Sequence, residues 1–325
     1  MARGWRGSGG HWPMGEAVAL AALMLDAAIG WPNWLYRLAG HPVGGFAWII
    51  TACEARWNRT DLPEATRRAA GVATVILLVV LVGGVGWALQ AGVLHAMGRA
   101  GWIGLALLSF PGLAQRSLFD HVAPVARALA AGDLAEARRA VGMIVGRDTA
   151  ALDEAGVARA GIESLAESFC DGIVAPAFWL ILLGLPGIWV YKAMNTADSL
   201  IGHYEDRWRA FGWAAARTDD LLNLIPARLS AVLLCLAGGG GWTIMLRDAR
   251  KHASPNAGWP EAAMAGALGI RLAGPVAYDG VAEAKPWIGD GRSKATADDI
   301  RRALHIYVRA CLLLWIVAGA AAWLR

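Results

Sequence analysis

The sequence predicts an all-α, polytopic integral membrane protein of one domain, residues 1–325, with about four to six membrane segments, some short or re-entrant, joined by helical polar loops. Two observations predict this class. Hydrophobic residues make up 57% of the chain and charged residues only 17%, with a mean hydropathy of +0.42. A soluble domain is about half apolar and a quarter charged. The apolar residues are also gathered into runs that approach the roughly 20 residues needed to cross about 30 Å of hydrocarbon.

Residues 1–13 read as a disordered N-terminus. Arg3 and Arg6 ahead of residues 17–25 resemble the charged and apolar parts of a signal peptide. Asp26 closes that run without a small-residue cleavage site, which favours a retained first helix over residues 17–29. In the polar stretch 40–68, His41-Pro42-Val43-Gly44 reads as a turn feeding a helix through Ile49 to Glu54, with its polar residues near the membrane surface. Residues 69–94 form a long, clean apolar run, and 102–113 a short one.

The stretch 117–172 looks helical throughout. Gly132-Asp133 breaks and recaps it, Asp148-Thr149 offers another cap, and its last helix covers 156–169. The next run, 173–190, contains Pro176 and Pro186, with Leu183-Gly184-Leu185-Pro186-Gly187 as turn chemistry at its centre. It is either one kinked span or a re-entrant hairpin, and a hairpin would bring the polar stretches before and after it to one face of the membrane. Residues 229–246 carry four glycines. Residues 247–257 begin basic and turn through Pro255, after which Pro260 and Glu261 start a helix over 261–268 that stops at Gly269. Residues 306–324 close the chain with a second clean run. Lys and Arg occur in every long connection, so the positive-inside rule leaves the orientation open.

The net charge of +4 is ordinary for a membrane protein with basic loops. No Lys/Arg tract interleaved with aromatics points to nucleic acid, and the 17 tryptophans suit interfacial anchoring. Cys53, Cys170, Cys235 and Cys311 have no spacing for zinc, redox work or a disulfide framework. No Walker A loop, Rossmann glycine fingerprint, kinase set or His-Glu-x-x-His site occurs.

The candidate chemistry lies where ionisable groups sit beside apolar runs, because unsatisfied charge there is costly. Glu163 and Glu167 are four apart on one helix face and repel unless a cation or proton lies between them; a solvated face is the plainer alternative. Asp171 follows at the membrane entrance. A helix through 191–199 puts Lys192, Asn195 and Ser199 on one stripe with Asp198 adjacent. Asp219 and Asn223 are again four apart, with Asp220 beside them and Arg228 beyond.

Carboxylate and amide oxygens at this spacing suit Mg²⁺, which takes one or two carboxylates and completes its shell with water and phosphate. Lys192, Arg217 and Arg228 would neutralise phosphate oxygens, and an intramembrane salt-bridge network is the alternative. The helix start after Ser254 and Asn256 can receive an anion, or be a plain loop-to-helix junction. His41 and His252 are the histidines placed to touch substrate, against a structural hydrogen bond for each.

These residues belong to longer motifs: Met143-Ile144-Val145-Gly146-Arg147-Asp148-Thr149; Glu163-Ser164-Leu165-Ala166-Glu167 running to Asp171-Gly172; Lys192-Ala193-Met194-Asn195-Thr196-Ala197-Asp198-Ser199; Phe211-Gly212-Trp213 running to Arg217-Thr218-Asp219-Asp220 and Asn223; Ile225-Pro226-Ala227-Arg228-Leu229; and the stretch 254–268. In them, and in their order, the chain closely resembles the adenosylcobinamide-phosphate synthase family of cobalamin biosynthesis, also called CobD/CbiB.

The resemblance implies a multi-pass enzyme of the cell inner membrane with its active site facing the cytoplasm. Such an enzyme joins adenosylcobyric acid to (R)-1-amino-2-propanol or its O-phosphate through an amide bond, using ATP and Mg²⁺. It implies catalytic roles for Glu163, Glu167, Asp171, Lys192, Asp198, Asp219 and Asp220, and metal binding by Glu163, Glu167, Asp219, Asp220 and Asn223. Cofactor binding falls to Arg147, Asn195, Ser199, Arg217, Arg228, His252 and Asn256. The implied partners are the corrinoid, the amine and the bilayer, with a second copy or other pathway enzymes, and no nucleic acid.

Two positions depart from the family pattern. Gly30-Trp31-Pro32 stands where Gly-Asp-Pro is usual, leaving Asp26 as the only acid nearby, and Glu167-Ser168 replaces Glu-Asn. Three other readings compete. A signalling modulator of similar architecture would not need all of these motifs. A transporter would show an inverted repeat, and none is visible. A CDP-alcohol phosphotransferase would need an arginine where Pro176 stands.

Overall fold

The computed structural model describes residues 15–324 except Arg147, Pro275, Asp279, Gly280, Ala284 and Lys285. The expected disorder of residues 1–13 lies outside the described residues. The first helix, α1 (Gly15–Ile29), is apolar except for Glu16 and Asp26, both buried. After the short α2 (Asn33–Ala39), α3 (Pro42–Trp57) starts with proline in its first turn, where the missing N–H costs nothing. His41 caps it, its Nδ1 accepting from Val43 N at 3.3 Å.

Helix α4 (Glu64–Met97) has 34 residues, about 50 Å at 1.5 Å per residue. Gly71, Thr74, Leu78, Val82 and Gly86 form a buried stripe at helical spacing, whereas Ile76, Val80, Val85 and Trp87 face outward. α5 (Gly101–Ser109) doubles back, with Gly101 and Gly104 close against Leu94 and Val93. α6 (Gln115–Ala130) is capped from another helix, since the Asp26 carboxylate accepts from Gln115 N at 2.5 Å. Gln115 ties three helices together. Its amide donates to Leu23 O at 2.6 Å and accepts from Trp315 Nε1 at 3.0 Å, and its carbonyl accepts from Tyr307 Oη at 2.8 Å.

Asp133 caps α7 (Leu134–Gly142) as the sequence suggests. The cap of α8 (Glu154–Phe169) is Asp153, whose Oδ1 accepts from Gly156 N at 2.7 Å. Asp148 instead accepts from Ala150 N within the preceding turn. A π-turn over Cys170–Val174 carries α8 into α9 (Ala175–Ile201).

The broken run resolves as a hairpin. Gly184 has φ 69° and ψ −150°, a conformation natural only to glycine. Tyr191 Oη donates to Asp171 O at 3.3 Å although the two are 20 residues apart; a straight helix would hold them about 30 Å from each other. Leu185 N, freed by the reversal, donates to Gln90 Oε1 at 2.8 Å. Gly187 lies against Trp179 O and Gly86 against Pro186, and neither approach leaves room for a Cβ.

α10 (Trp213–Gly238) ends at Gly239 in the left-handed region. The apolar run 229–246 is therefore two helices, because Gly239 and Gly241 both take positive φ before α11 (Trp242–Asp248). α12 (Gly258–Leu268) starts earlier than Pro260, since Gly258 approaches Ala249 O too closely for a side chain, and it stops at Gly269 as expected. Two small antiparallel ladders follow, pairing β1 (Leu272–Ala273) with β4 (Trp287–Ile288) and β2 (Val276–Tyr278) with β3 (Val281–Glu283). They are the only strands among the described residues of an otherwise helical chain. α13 (Ala297–Trp323) opens on a capping box between Thr296 and Asp299.

Four helical stretches are long and apolar enough to cross a membrane: Glu64–Ala130, Glu154–Ile201, Trp213–Gly238 and Ala297–Trp323. The first contains the turn into α5 and the second the hairpin. The chain is a polytopic, all-α membrane protein.

Candidate functional site

The hairpin decides where the site forms. By reversing at Gly184 it returns Asn195 to Asp171, 24 residues earlier, with Asn195 Nδ2 3.4 Å from Asp171 Oδ2. The same amide lies 3.4 Å from Asp219 Oδ1 on α10. Two carboxylates from two elements thus converge on one amide. A cavity of about 360 Å³ opens beside them. Glu167, Cys170 and Asp171 line it from α8 and the π-turn, Asp198, Gly202 and Tyr204 from the returning arm, Arg217, Asp219, Asp220 and Asn223 from α10, and residues 252–257 from the loop before α12.

Hydrogen bonds hold Asp219 from both sides. Asn223 Nδ2 donates to its Oδ2 at 3.0 Å, while Asn223 Oδ1 accepts from Tyr191 Oη at 3.0 Å and from the Cys170 thiol at 3.8 Å. This fixes which way the amide of Asn223 points. Its oxygen faces the protein, and its nitrogen faces Asp219. Lys192 Nζ lies behind the carboxylates, 3.5 Å from Asp171 O.

The opposite wall is a polar loop. Ser254 Oγ accepts from the backbone N–H groups of Asn256 and Ala257, both at 3.2 Å, and His252 Nδ1 accepts from Ser254 N at 3.0 Å. Asn256 joins the walls, donating to Asp220 O at 2.7 Å and accepting from Arg228 Nη1 at 2.6 Å. Arg217 pairs with Asp220 at 3.0 Å on the cavity rim.

A family model described as CobD/Cbib protein matches residues 19–307. The chain belongs to the CobD/Cbib family. Two curated relatives, both called cobalamin biosynthesis protein CobD, come from Rhodobacter capsulatus and Sinorhizobium sp. The first is 47% identical over 94% of this chain and 97% of its own length, and the second 46% over 93% and 97%. A third of the same name, from Brucella suis, is 47% identical over 88% of this chain and 90% of its own. No solved structure gives a significant match.

Of the residues singled out in this CobD/Cbib chain, Glu167, Asp171, Asp198, Arg217, Asp219, Asp220, Asn223, His252 and Asn256 line the cavity, and Lys192 and Asn195 stand at its back. Others are placed elsewhere. Glu163 Oε1 accepts from Ala273 N at 2.8 Å and so holds β1. Ser199 Oγ donates back to Asn195 O at 2.9 Å, and Arg228 points outward over the Trp259 ring. His41 is the cap of α3; burial and the nearby Lys192 ammonium hold it below the usual histidine range. Arg147 lies outside the described residues.

Tyr191 and Cys170 were not singled out from the sequence. Tyr191 is four residues before Asn195, a spacing that marks it, but its bond to Asn223 depends on how α9 meets α10.

The oxygen set fits a hard cation of the Mg²⁺ type. Five carboxylates line the cavity, and the ion pair of Asp220 with Arg217 leaves an excess of negative charge. No three acidic, His or Cys side chains among the described residues form a ready cage.

Proposed function

We propose that this chain works in cobalamin biosynthesis as an ATP-dependent acid–amine ligase. It would join adenosylcobyric acid to (R)-1-amino-2-propanol or its O-phosphate, giving adenosylcobinamide or its phosphate. Membership of the CobD/Cbib family supports this reading, as do the names of the relatives. The observation that carries it is the convergence of Asp171 and Asp219 on Asn195, across a cavity from the polar loop that opens α12.

A carboxylate is a poor acyl donor. ATP, when bound, supplies the phosphoryl group that turns it into an acyl phosphate with a good leaving group. Asp171 and Asp219 would hold Mg²⁺, which screens phosphate charge, with Asp220 and Glu167 within the same cavity. Arg217 at the cavity rim and His252 on the facing wall would provide positive potential for phosphate oxygens. The acidic wall attracts the ammonium form of the amine. Asp198, whose carboxylate makes no hydrogen bond or salt bridge among the described residues, lines the cavity and takes one proton from the ammonium to free the attacking amine, and the departing phosphate carries away the second as the amide forms. Holding acid and amine in one cavity supplies much of the rate enhancement through proximity.

The reading places the protein in the cell inner membrane with the cavity facing the cytoplasm, where ATP is available. The test supplies detergent-purified protein with adenosylcobyric acid, ATP and Mg²⁺, and offers the free and the phosphorylated amine separately. A corrinoid heavier by one of the two arms, with matching ADP, supports the ligase and identifies its amine. No product with either amine, from folded protein that binds corrinoid, removes the reading.

A further inference from the structure

Arg228 does not line the cavity, yet it occupies a costly place. On α10 the side chains of Leu221, Leu224, Ile225, Leu229 and Val232 are exposed at helical spacing, an outward apolar stripe on a helix long enough to cross a membrane. Arg228 borders that stripe, and with Leu224, Ile225, Leu229 and Val232 it lines a shallow groove on the outside of the molecule. A cation at an apolar face is expensive, and such residues usually serve function.

The contacts of Arg228 lead back to the cavity wall. Its Nη1 donates to Leu224 O at 3.0 Å and to Asn256 Oδ1 at 2.6 Å, and the guanidinium lies 4.7 Å from the centroid of the Trp259 ring in α12. Asn256 is buried, and the nitrogen of the same amide donates to Asp220 O at 2.7 Å. Both ends of the Asn256 amide are thus bonded to α10, at points about two turns apart. The side chain is a strut between the loop and the helix.

The strut carries the whole loop with it. His252 Nδ1 accepts from Ser254 N, and Ser254 Oγ accepts from the backbone of Asn256 and Ala257, so residues 252–257 form one hydrogen-bonded unit. The hydrogen bonds described between this unit and α10 both run through Asn256. Asp219 and Asp220, on the facing wall, belong to the same helix as Arg228. Without the guanidinium the amide is held at its nitrogen alone and is free to turn.

We propose that Arg228 is a positioning residue of the cavity: acting through Asn256, it fixes the 252–257 wall against the acid wall of α10. That the wall so held receives the phosphates of ATP rests on the ligase reading above. Arginine suits the task, because its planar fork bonds two oxygens while its face lies on Trp259, and a lysine ammonium offers the charge without the plane.

Two readouts on the full chain in detergent test this. Hydrogen exchange at the backbone of residues 252–257 reads the wall directly, whether or not ligation occurs. Arg228→Gln and Asn256→Ala each speed it about tenfold, the loss of one hydrogen bond to a charged group, while α4 keeps its wild-type rate. Steady-state kinetics read the consequence. Each substitution raises KM for ATP about tenfold and leaves KM for the amine within about twofold. The double variant is no worse than either single one, since both break the same link. Arg228→Lys behaves like Arg228→Gln, and Asn256→Ala decides the matter if Arg228→Gln folds poorly. Unchanged exchange at 252–257 overturns the proposal, as does a fall in kcat with KM for ATP unmoved, which would make the pair structural only. Additive effects in the double variant, or full rescue by Arg228→Lys, would make Arg228 a direct partner of the nucleotide and overturn it too. Failure of the wild type to form amide would remove the ligase reading and leave the positioning role to be decided by exchange.

Discussion

Asp219 is held on one oxygen by Asn223 and approached on the other by Asn195, and Asn223 in turn is oriented by the Tyr191 hydroxyl. Removing that hydroxyl frees the Asn223 amide to turn, so Asp219 loses its fixed direction without losing its charge. We expect Tyr191→Phe to lower turnover by about 10- to 100-fold and to raise the Mg²⁺ concentration needed for half-maximal activity, the usual cost of removing an outer hydrogen bond from a ligating group. Titrating Mg²⁺ at saturating substrates reads both effects. A proportionate loss of activity with no change in Mg²⁺ dependence would make Tyr191 a packing residue only.

Asp248 illustrates the same logic outside the site. It is fully buried, accepts from Arg247 Nε and Nη2 at 2.7 Å each and from Lys251 Nζ at 2.7 Å, and accepts from Gly289 N at 2.8 Å. The Arg247 hydrogen bonds hold its carboxyl well below the usual carboxylate range. Its stabilisation is therefore complete above the unfolded carboxylate value of about 3.9 and is lost as pH falls toward the lower folded value. Asp248→Asn should cost about 3 kcal/mol at neutral pH. The gap in melting temperature between variant and wild type in detergent should narrow only below about pH 4.

At this scale the sequence was legible where spacing along one helix sufficed. Asp219 and Asn223 were found because four residues make about one helical turn, and Asp198 because it lies beside the stripe of Lys192, Asn195 and Ser199. Glu163 and Glu167 obey the same rule, yet only Glu167 reaches the cavity, because Ala273 N from a distant segment takes Glu163.

Among elements, the α9 hairpin matters most, because Asp171, Lys192, Asn195 and Asp198 meet only through its reversal. Leu183-Gly184-Leu185-Pro186-Gly187 announced a break, but the choice between a kink and a hairpin rested on Gln90 in α4, which receives the freed Leu185 N–H from 95 residues away. A Cβ at Gly184 would lie 2.3 Å from Gln90 Oε1 and would have to accept φ 69°. Gly184→Ala should destabilise the protein by about 1–2 kcal/mol from backbone strain alone and reduce activity by misaligning the two arms. Gln90→Leu removes the hydrogen bond but not the turn, so its melting temperature should fall less. Melting both in detergent checks the order. The split of residues 229–246 into α10 and α11 had a visible cause in its glycines, whereas the short β ladders had none, since they depend on pairing across distant positions.

Across the whole molecule, composition and run length were enough to identify an all-α membrane protein, because burial in lipid demands both a high apolar fraction and internally satisfied backbone. Composition could not locate the cavity, which forms where α8, the α9 hairpin, α10 and the loop before α12 meet. The central claim is that this cavity carries out the ligation. The most direct test compares wild type and Asp219→Asn, both folded in detergent, for ATP-dependent conversion of adenosylcobyric acid, with product mass and ADP measured together. We expect the wild type to form amide and ADP in equal amounts and the variant to lose about 100-fold or more while still binding corrinoid. Amide formation by Asp219→Asn at the wild-type rate would contradict the account.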